Sequence, residues 1–384
     1  AVMSRSHAMM ISVVLHLDQW SGALGWGFEA HDRIAHIAEV LMPGKKKDQI
    51  RSMMHGDLVD YSDWEQKMTN KYPETQVLHW HHQMPEWNCM STLGEDEHLR
   101  CDHKAAAEEG SLFCAMAYFF YHFSHAALVR EYPQPEEPIN PPDKLPSLDK
   151  VASFDVGTEH YLRWLAMLIG DAHQPLHWLR QRDYGKKITI LYKNFPYTLL
   201  EFWENELPKM LTPIPKASNK SQAEARKKWE KHIKDEYEER HHAWGHRLPT
   251  ELFRYWAKEA AEAVCGQVYQ QMEENHADGT RSIHEPFHLP ESLLRQWIKL
   301  ANDLINLAGE RVAFVFMDIL EHKKHKALHK EGRGRHHRHR RHWRNFLWNS
   351  AVAAIEVPLI IKILRWHDKS GFSFGQFFRA GKSS

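Results

Sequence analysis

The chain has 384 residues, 42% of them hydrophobic, with 50 Lys and Arg against 50 Asp and Glu, which is enough apolar content for one sizeable core. The zero net charge hides an asymmetry. Residues 323–384 carry 15 basic against 3 acidic side chains, while residues 1–322 carry 35 against 47, a net of −12, so the body is excluded as a bare electrostatic partner of nucleic acid unless bound cations reverse the local sign. The four cysteines form no CxxC pair, which excludes a cysteine-based zinc site, and the 30 histidines point instead to imidazole ligands.

In chain order, residues 8–17 (AMMISVVLHL) form a short apolar run after Arg5 and before the small-residue stretch Ser21-Gly-Ala-Leu-Gly25. This reads as a signal peptide over 1–25, cleaved before Trp26, and it is too short to span a bilayer. Apolar residues at helical spacing predict helices over 31–42, 105–130, 151–170, 250–273 and 292–320. The proline-rich stretch 133–146 predicts a surface loop between helical blocks. One hairpin is predicted over 187–200, with an Asn194-Phe195-Pro196 turn. Residues 214–248 predict a solvated charged helix, and Asn219-Lys-Ser221 is a glycosylation sequon, in keeping with a secreted chain. Beyond 322 the character changes to a basic His/Arg-rich tail over 323–384. Its hydrophobic segment 346–364 either lies at an anionic membrane surface or packs on the body.

The densest chemistry lies in Leu162–His177, where a helix burying Leu162, Leu165, Leu168 and Ile169 ends in Gly170-Asp171-Ala-His173-Gln-Pro175-Leu-His177. A carboxylate and two imidazoles around a proline suit a zinc cluster, because carboxylate oxygens bridge ions and neutral imidazoles bind terminally. The alternative is a helix end with polar residues at its mouth. Further pieces are Trp26-Gly-Phe-Glu-Ala-His31, Tyr61-Ser-Asp63, Leu78-His79-Trp80 and Leu199-Leu-Glu-Phe-Trp-Glu204.

Together and in this order, these segments resemble the S1/P1 single-strand-specific zinc nuclease family from Trp26 to about Leu320. The resemblance implies an all-α fold, the helical zinc nuclease and phospholipase C-like domain, over 26–322, with one small β-hairpin and disulfides Cys89–Cys265 and Cys101–Cys114. It implies up to three zinc ions. The first is held by the free amine and carbonyl of Trp26 with His31 and Asp171, which couples metal binding to removal of the leader. The second takes Asp63, His79 and Asp171, with Met167 where the family has a histidine. The third takes His177 and Glu204, with Leu200 replacing a histidine and Glu201 a substitute one turn before Glu204. One to two ions are therefore expected here. Asp63 and Asp171 are implied as catalytic and Trp80 as the residue that stacks a base.

The family's Arg after the first Asp is Gln66, its Gly-Gly-Asn before the hairpin is Gly185-Lys-Lys187, and its base-edge acid is His82 or absent. The implied activity is hydrolysis of single-stranded DNA or RNA to 5′-phosphates, with a 3′-nucleotidase activity as a companion, by a monomer whose partners are single-stranded nucleic acid or nucleotides. Two alternatives remain open: a relative that binds metal or nucleic acid without turnover, and a phospholipase C-like lipid hydrolase.

Overall fold

The structure is a computed structural model that describes residues 25–81, 89, 101, 112–126, 158–180, 182–244, 249–277 and 281–333. The apolar run 8–17, the proline-rich stretch 133–146, His82 and the segment 346–364 lie outside the described residues. The chain divides into two compact units, residues 1–323 and 324–384. Of the second, only 324–333 are described, and they are helical.

The first unit is mostly helical. Its helices are α1 (Phe28–Leu41), α2 (Gly44–Met54), α3 (Trp64–Lys71), α4 (Leu112–Ala126) and α5 (Thr158–Asp171). They are followed by the stretch 199–209, here α6, then α7 (Lys220–Trp244), α8 (Pro249–Ala263) and, up to residue 323, α9 (Glu291–Arg333). The residues of α6 are α-helical at Leu199–Glu201 and π-helical at Phe202–Glu206. Short 3₁₀ turns at Leu58–Tyr61, Pro73–His79 and Pro175–Trp178 link them.

The central pair is α4 against α5. Phe113, Phe119, Phe120 and Phe123 of α4 are buried, as a helix apolar on nearly every side must be. Phe119 stacks on Trp164 of α5 with centroids 5.6 Å apart. Helix α1 lies close to α9, because a Cβ built on Gly309 would stand 2.6 Å from the Ile37 Cβ and glycine removes that clash. Asn219 caps α7 by accepting the Gln222 amide at 2.9 Å. That helix is the solvated one expected: Lys231–Asp235 spans one exposed turn, while Ile233, Tyr237 and Trp244 face inward.

Two strands, β1 (Thr189–Tyr192) and β2 (Phe195–Thr198), form the expected hairpin with Ile190 opposite Tyr197. The turn is Lys193-Asn194, both at positive φ (50° and 67°), one step earlier than Asn-Phe-Pro. A two-residue loop whose twist matches the strands needs positive φ at both positions, so Phe195 and Pro196 fall in β2. Unforeseen additions are β5 (Phe287–His288), parallel to β1, and the separate pair β3 (Glu273–Asn275) with β4 (Arg281–Ile283). Among the described residues no helix is long and apolar enough to cross a membrane.

The cysteines pair as Cys89–Cys265 and Cys101–Cys114, with sequence separations of 176 and 13. Loop-closure entropy assigns about 5 kcal/mol to the long loop and about 3 kcal/mol to the short one. Cys265→Ser is therefore expected to lower the calorimetric melting temperature more than Cys114→Ser does, and the reverse order would show that strain or residual structure dominates.

Candidate metal centre

Four elements deliver side chains to one buried point, and the chain just before α1 adds the Trp26 amide. Helix α5 ends at Asp171, and the Pro175–Trp178 turn follows, so the chain leaves the helix at the aspartate instead of bending through it. Helix α1 brings His31 on its first turn, and α3 brings Glu65 on its own. The turn Pro73–His79 delivers His79, and Trp26 enters just before α1.

Asp171 is the hub. Its Oδ2 accepts from His79 Nδ1 at 2.7 Å, and its Oδ1 lies 3.2 Å from the Trp26 amide and 3.3 Å from His31 Nε2. Glu65 stands across from it, with Oε1 at 2.9 Å from His79 Nδ1 and Oε2 at 3.5 Å from His31 Nε2. Two glycines make this crowding sterically tolerable. A Cβ on Gly170 would meet the His31 ring at 2.9 Å, and one on Gly25, at φ +109°, would meet Asp171 Oδ1 at 2.2 Å. Both nitrogens of His31 and both oxygens of Glu65 are buried without a hydrogen bond of good geometry among the described residues. Donor atoms of His31, Glu65 and Asp171 all lie within 4.8 Å of one another. The residues therefore fit a divalent cation, because buried polar atoms left without hydrogen bonds are costly and an ion satisfies all of them together.

Electrostatics agree. Burial by itself would lower the pKa of His31 and His79, but Glu65 and Asp171 outweigh it, raising His31 and pushing His79 up to about 10. Burial raises Glu65, with Asp171 adding to it. For Asp171, burial is outweighed by His31 and His79, which hold its carboxyl below the usual range. In the metal-free protein His79 thus keeps a proton far above its ordinary 6.5, and the stability this contributes is complete below pH 6.5 and lost as pH rises through about 10. A metal ion must displace that proton. Zinc binding at pH 7.5 is expected to release at least one proton, read by titration calorimetry in buffers of different ionisation enthalpy. Zero release would remove His79 from the ligand set.

Asp63, the acid expected here, is not in the cluster. Its side chain is 37% exposed and pairs with Lys67 at 2.7 Å, whereas that of Glu65 is 3% exposed. The two acids flank Trp64, which packs edge-on against Trp164 at 5.1 Å, and at the first turn of a helix residues two apart face different ways. The inward acid is Glu65, on the same face as Thr69, whose Oγ1 touches His79 Nε2 at 3.5 Å. Met167 is buried one turn before Asp171, as its position implies, and Gln66 is exposed.

Trp80 does not present a stacking face. It is 4% exposed and enclosed by His177 (4.2 Å between centroids), Tyr184 (4.7 Å) and the Lys186 ammonium (4.4 Å). His173 is turned away from the cluster. Its Nδ1 donates to the Ile169 carbonyl at 2.6 Å, and its Nε2 accepts from Arg311 at 2.8 Å. Burial and Arg311 keep it neutral.

His177 and Glu204 do meet, at 3.3 Å between Nε2 and Oε1. His177 Nδ1 donates to the His79 carbonyl at 2.7 Å, and burial lowers its pKa to about 4, so its Nε2 is an acceptor. Burial raises the pKa of Glu204 well above the ordinary carboxylate range, with Asp171 adding to it. Leu200 is 1% exposed and apolar, and Glu201 is exposed, so the donors at this end are His177 and Glu204, and Glu204 Oε2 is buried without a hydrogen-bond partner among the described residues. Among the described residues the other convergent set is Glu238, His241 and His242, on the surface of α7.

The family model described as S1/P1 Nuclease matches residues 26–321. No curated protein matches the chain.

Proposed function

The chain belongs to the S1/P1 nuclease family, and from that premise we propose that Trp26, His31, Glu65, His79 and Asp171 form a zinc centre that hydrolyses phosphodiester bonds of single-stranded nucleic acid, leaving 5′-phosphates. The observation that carries the reading is the convergence of two carboxylates and two imidazoles, all buried, around Asp171, with His31 and Glu65 left without hydrogen bonds of good geometry. Bound zinc supplies Lewis-acid polarisation of a phosphoryl oxygen and activation of a water.

The protein groups around the centre hold it in place. His177 fixes the peptide carbonyl of His79 through its Nδ1–H, which sets the approach of the His79 ring. Glu204 positions Trp26: its backbone carbonyl accepts the Gly27 amide at 3.0 Å, and its carboxyl group takes the Gly25 amide. Substrate-facing charge comes from the hairpin and the loop before it, where Arg182, Lys187 and Lys193 are exposed and offset the acidic body.

With Trp80 enclosed, the stacking platform in this reading is Phe195, which is 66% exposed where β2 leaves the hairpin turn. Phe195→Ala is expected to raise KM for a single-stranded oligonucleotide about 5- to 10-fold with little change in kcat, the lower range for loss of one base–aromatic stack. An unchanged KM would remove Phe195 from the substrate path.

The reading is tested by incubating zinc-loaded protein with single-stranded and duplex DNA and with phosphatidylcholine vesicles. Release of 5′-phosphorylated products from the single strand alone, abolished by a chelator, supports it. Binding of zinc and oligonucleotide without cleavage supports the degenerate alternative, which the apolar Met167 and Leu200 favour. Cleavage of the lipid alone overturns both. We also take the protein to be secreted, since disulfides belong to oxidising compartments and the sequon residue Asn219 is exposed at the start of α7.

A further inference from the structure

Lys186 lies in the loop between the Pro175–Trp178 turn and β1, half-buried and next to the centre. Its Nζ sits 4.4 Å from the centroid of the Trp80 ring, and that ring lies 4.2 Å from the ring of His177. Its charge acts on both His177 and Glu204, so the ammonium stands at the end of the cluster where those two side chains meet. Neighbouring cations differ: Arg182 is near Glu285 at 3.8 Å, and Lys193 is exposed over Tyr192. Lys186 forms no ion pair with a carboxylate among the described residues. A half-buried ammonium held against an aromatic ring, with no carboxylate in ion-pair contact among the described residues and beside a cluster of donors for a cation, is a seat for an anion.

We propose that Lys186 binds an oxygen of the substrate's phosphoryl group, so that at the His177–Glu204 end of the site a protein cation stabilises the negative charge where the apolar Leu200 leaves the donor set one short. It acts as a fixed charge, of the kind that preorganised sites aim at charge developing on phosphoryl oxygens. The proposal rests on the reading of the cluster as a zinc phosphodiesterase. It gives Lys186 a purpose that packing alone does not, because a methionine stem would cover Trp80 equally well.

The test compares zinc-loaded wild-type protein with Lys186→Met, which keeps the stem and removes the charge, and Lys186→Arg, which keeps the charge. Three quantities are read: zinc content by mass spectrometry, affinity for inorganic phosphate by calorimetry, and kcat and KM on a single-stranded oligonucleotide. Lys186→Met is expected to keep its zinc, to bind phosphate about tenfold more weakly and to lose on the order of 10²-fold in kcat/KM. Lys186→Arg is expected to stay within about fivefold of wild type, since an arginine also binds phosphate oxygens. Phosphate affinity and kcat/KM within twofold of wild type for Lys186→Met would overturn the role of Lys186 while leaving the zinc centre standing, and loss of zinc would overturn it in favour of a structural role. Wild-type protein that binds zinc but neither binds phosphate nor cleaves would bring down the reading of the whole site, and the proposal with it.

Discussion

Glu65→Gln is expected to lose one zinc ion and to lower kcat/KM on single-stranded DNA by about 10³-fold, the upper end of what deleting one electrostatic group costs, while Asp63→Asn stays within about twofold of wild type. The contrast follows from burial and partners. Glu65 contacts both His31 and His79 from a side chain that is 3% exposed, and amidation removes the charge that, with Asp171, draws a cation into a dry site. Asp63 faces solvent beside Lys67, and such an exposed pair contributes at most about 1 kcal/mol. Zinc content by mass spectrometry and steady-state kinetics on both variants decide it. A severe defect in Asp63→Asn with a mild one in Glu65→Gln would mean that α3 is rotated in the working protein.

A second large effect is expected from where the chain begins. With Gly25 attached, the Trp26 nitrogen is an amide, its lone pair delocalised into the peptide bond, and it donates to Asp171 at 3.2 Å. As an N-terminal amine, with an ordinary pKa near 8, the same nitrogen becomes a metal ligand after losing a proton. Protein beginning at Trp26 is therefore expected to hold one more zinc ion than protein beginning at Ala1 and to be at least about 10²-fold more active, because a ligand is gained and Asp171 Oδ1 is freed. Adding one alanine before Trp26 is the control, and it should return the protein to the low state. Equal zinc content in all three proteins would show that Trp26 is not a ligand.

Much of the site was legible as ordered spacing. Asp171 could be picked out because a carboxylate and two imidazoles gather at the end of an apolar helix, whereas His31 and His79 came from the resemblance of the ordered segments to the nuclease family, and the structure brings Asp171, His31 and His79 together. Asp63 against Glu65 was not legible in the same way. An aspartate before a helix reads equally as a ligand or as a helix start, and only the docking of Trp64 on Trp164 decides which neighbour turns inward. A usable signal existed, since Glu65 and Thr69 share the buried i, i+4 face of α3. The enclosure of Trp80 depends on Lys186 and Tyr184, about a hundred residues away, and no local pattern carries that. The same holds for β5, whose pairing with β1 joins distant segments. In the fold, the long apolar helices were readable by periodicity. The π-helical turns at Phe202–Glu206 and Val264–Tyr269 have no sequence signature and were not.

The most direct test of the account is anomalous diffraction at the zinc edge from crystals of protein beginning at Trp26. Two peaks are expected, one beside the Trp26 amine and His31 and one between Glu65 and His79, both in contact with Asp171. The account is contradicted by a peak at His177 and Glu204, or by density at Asp63 with none at Glu65.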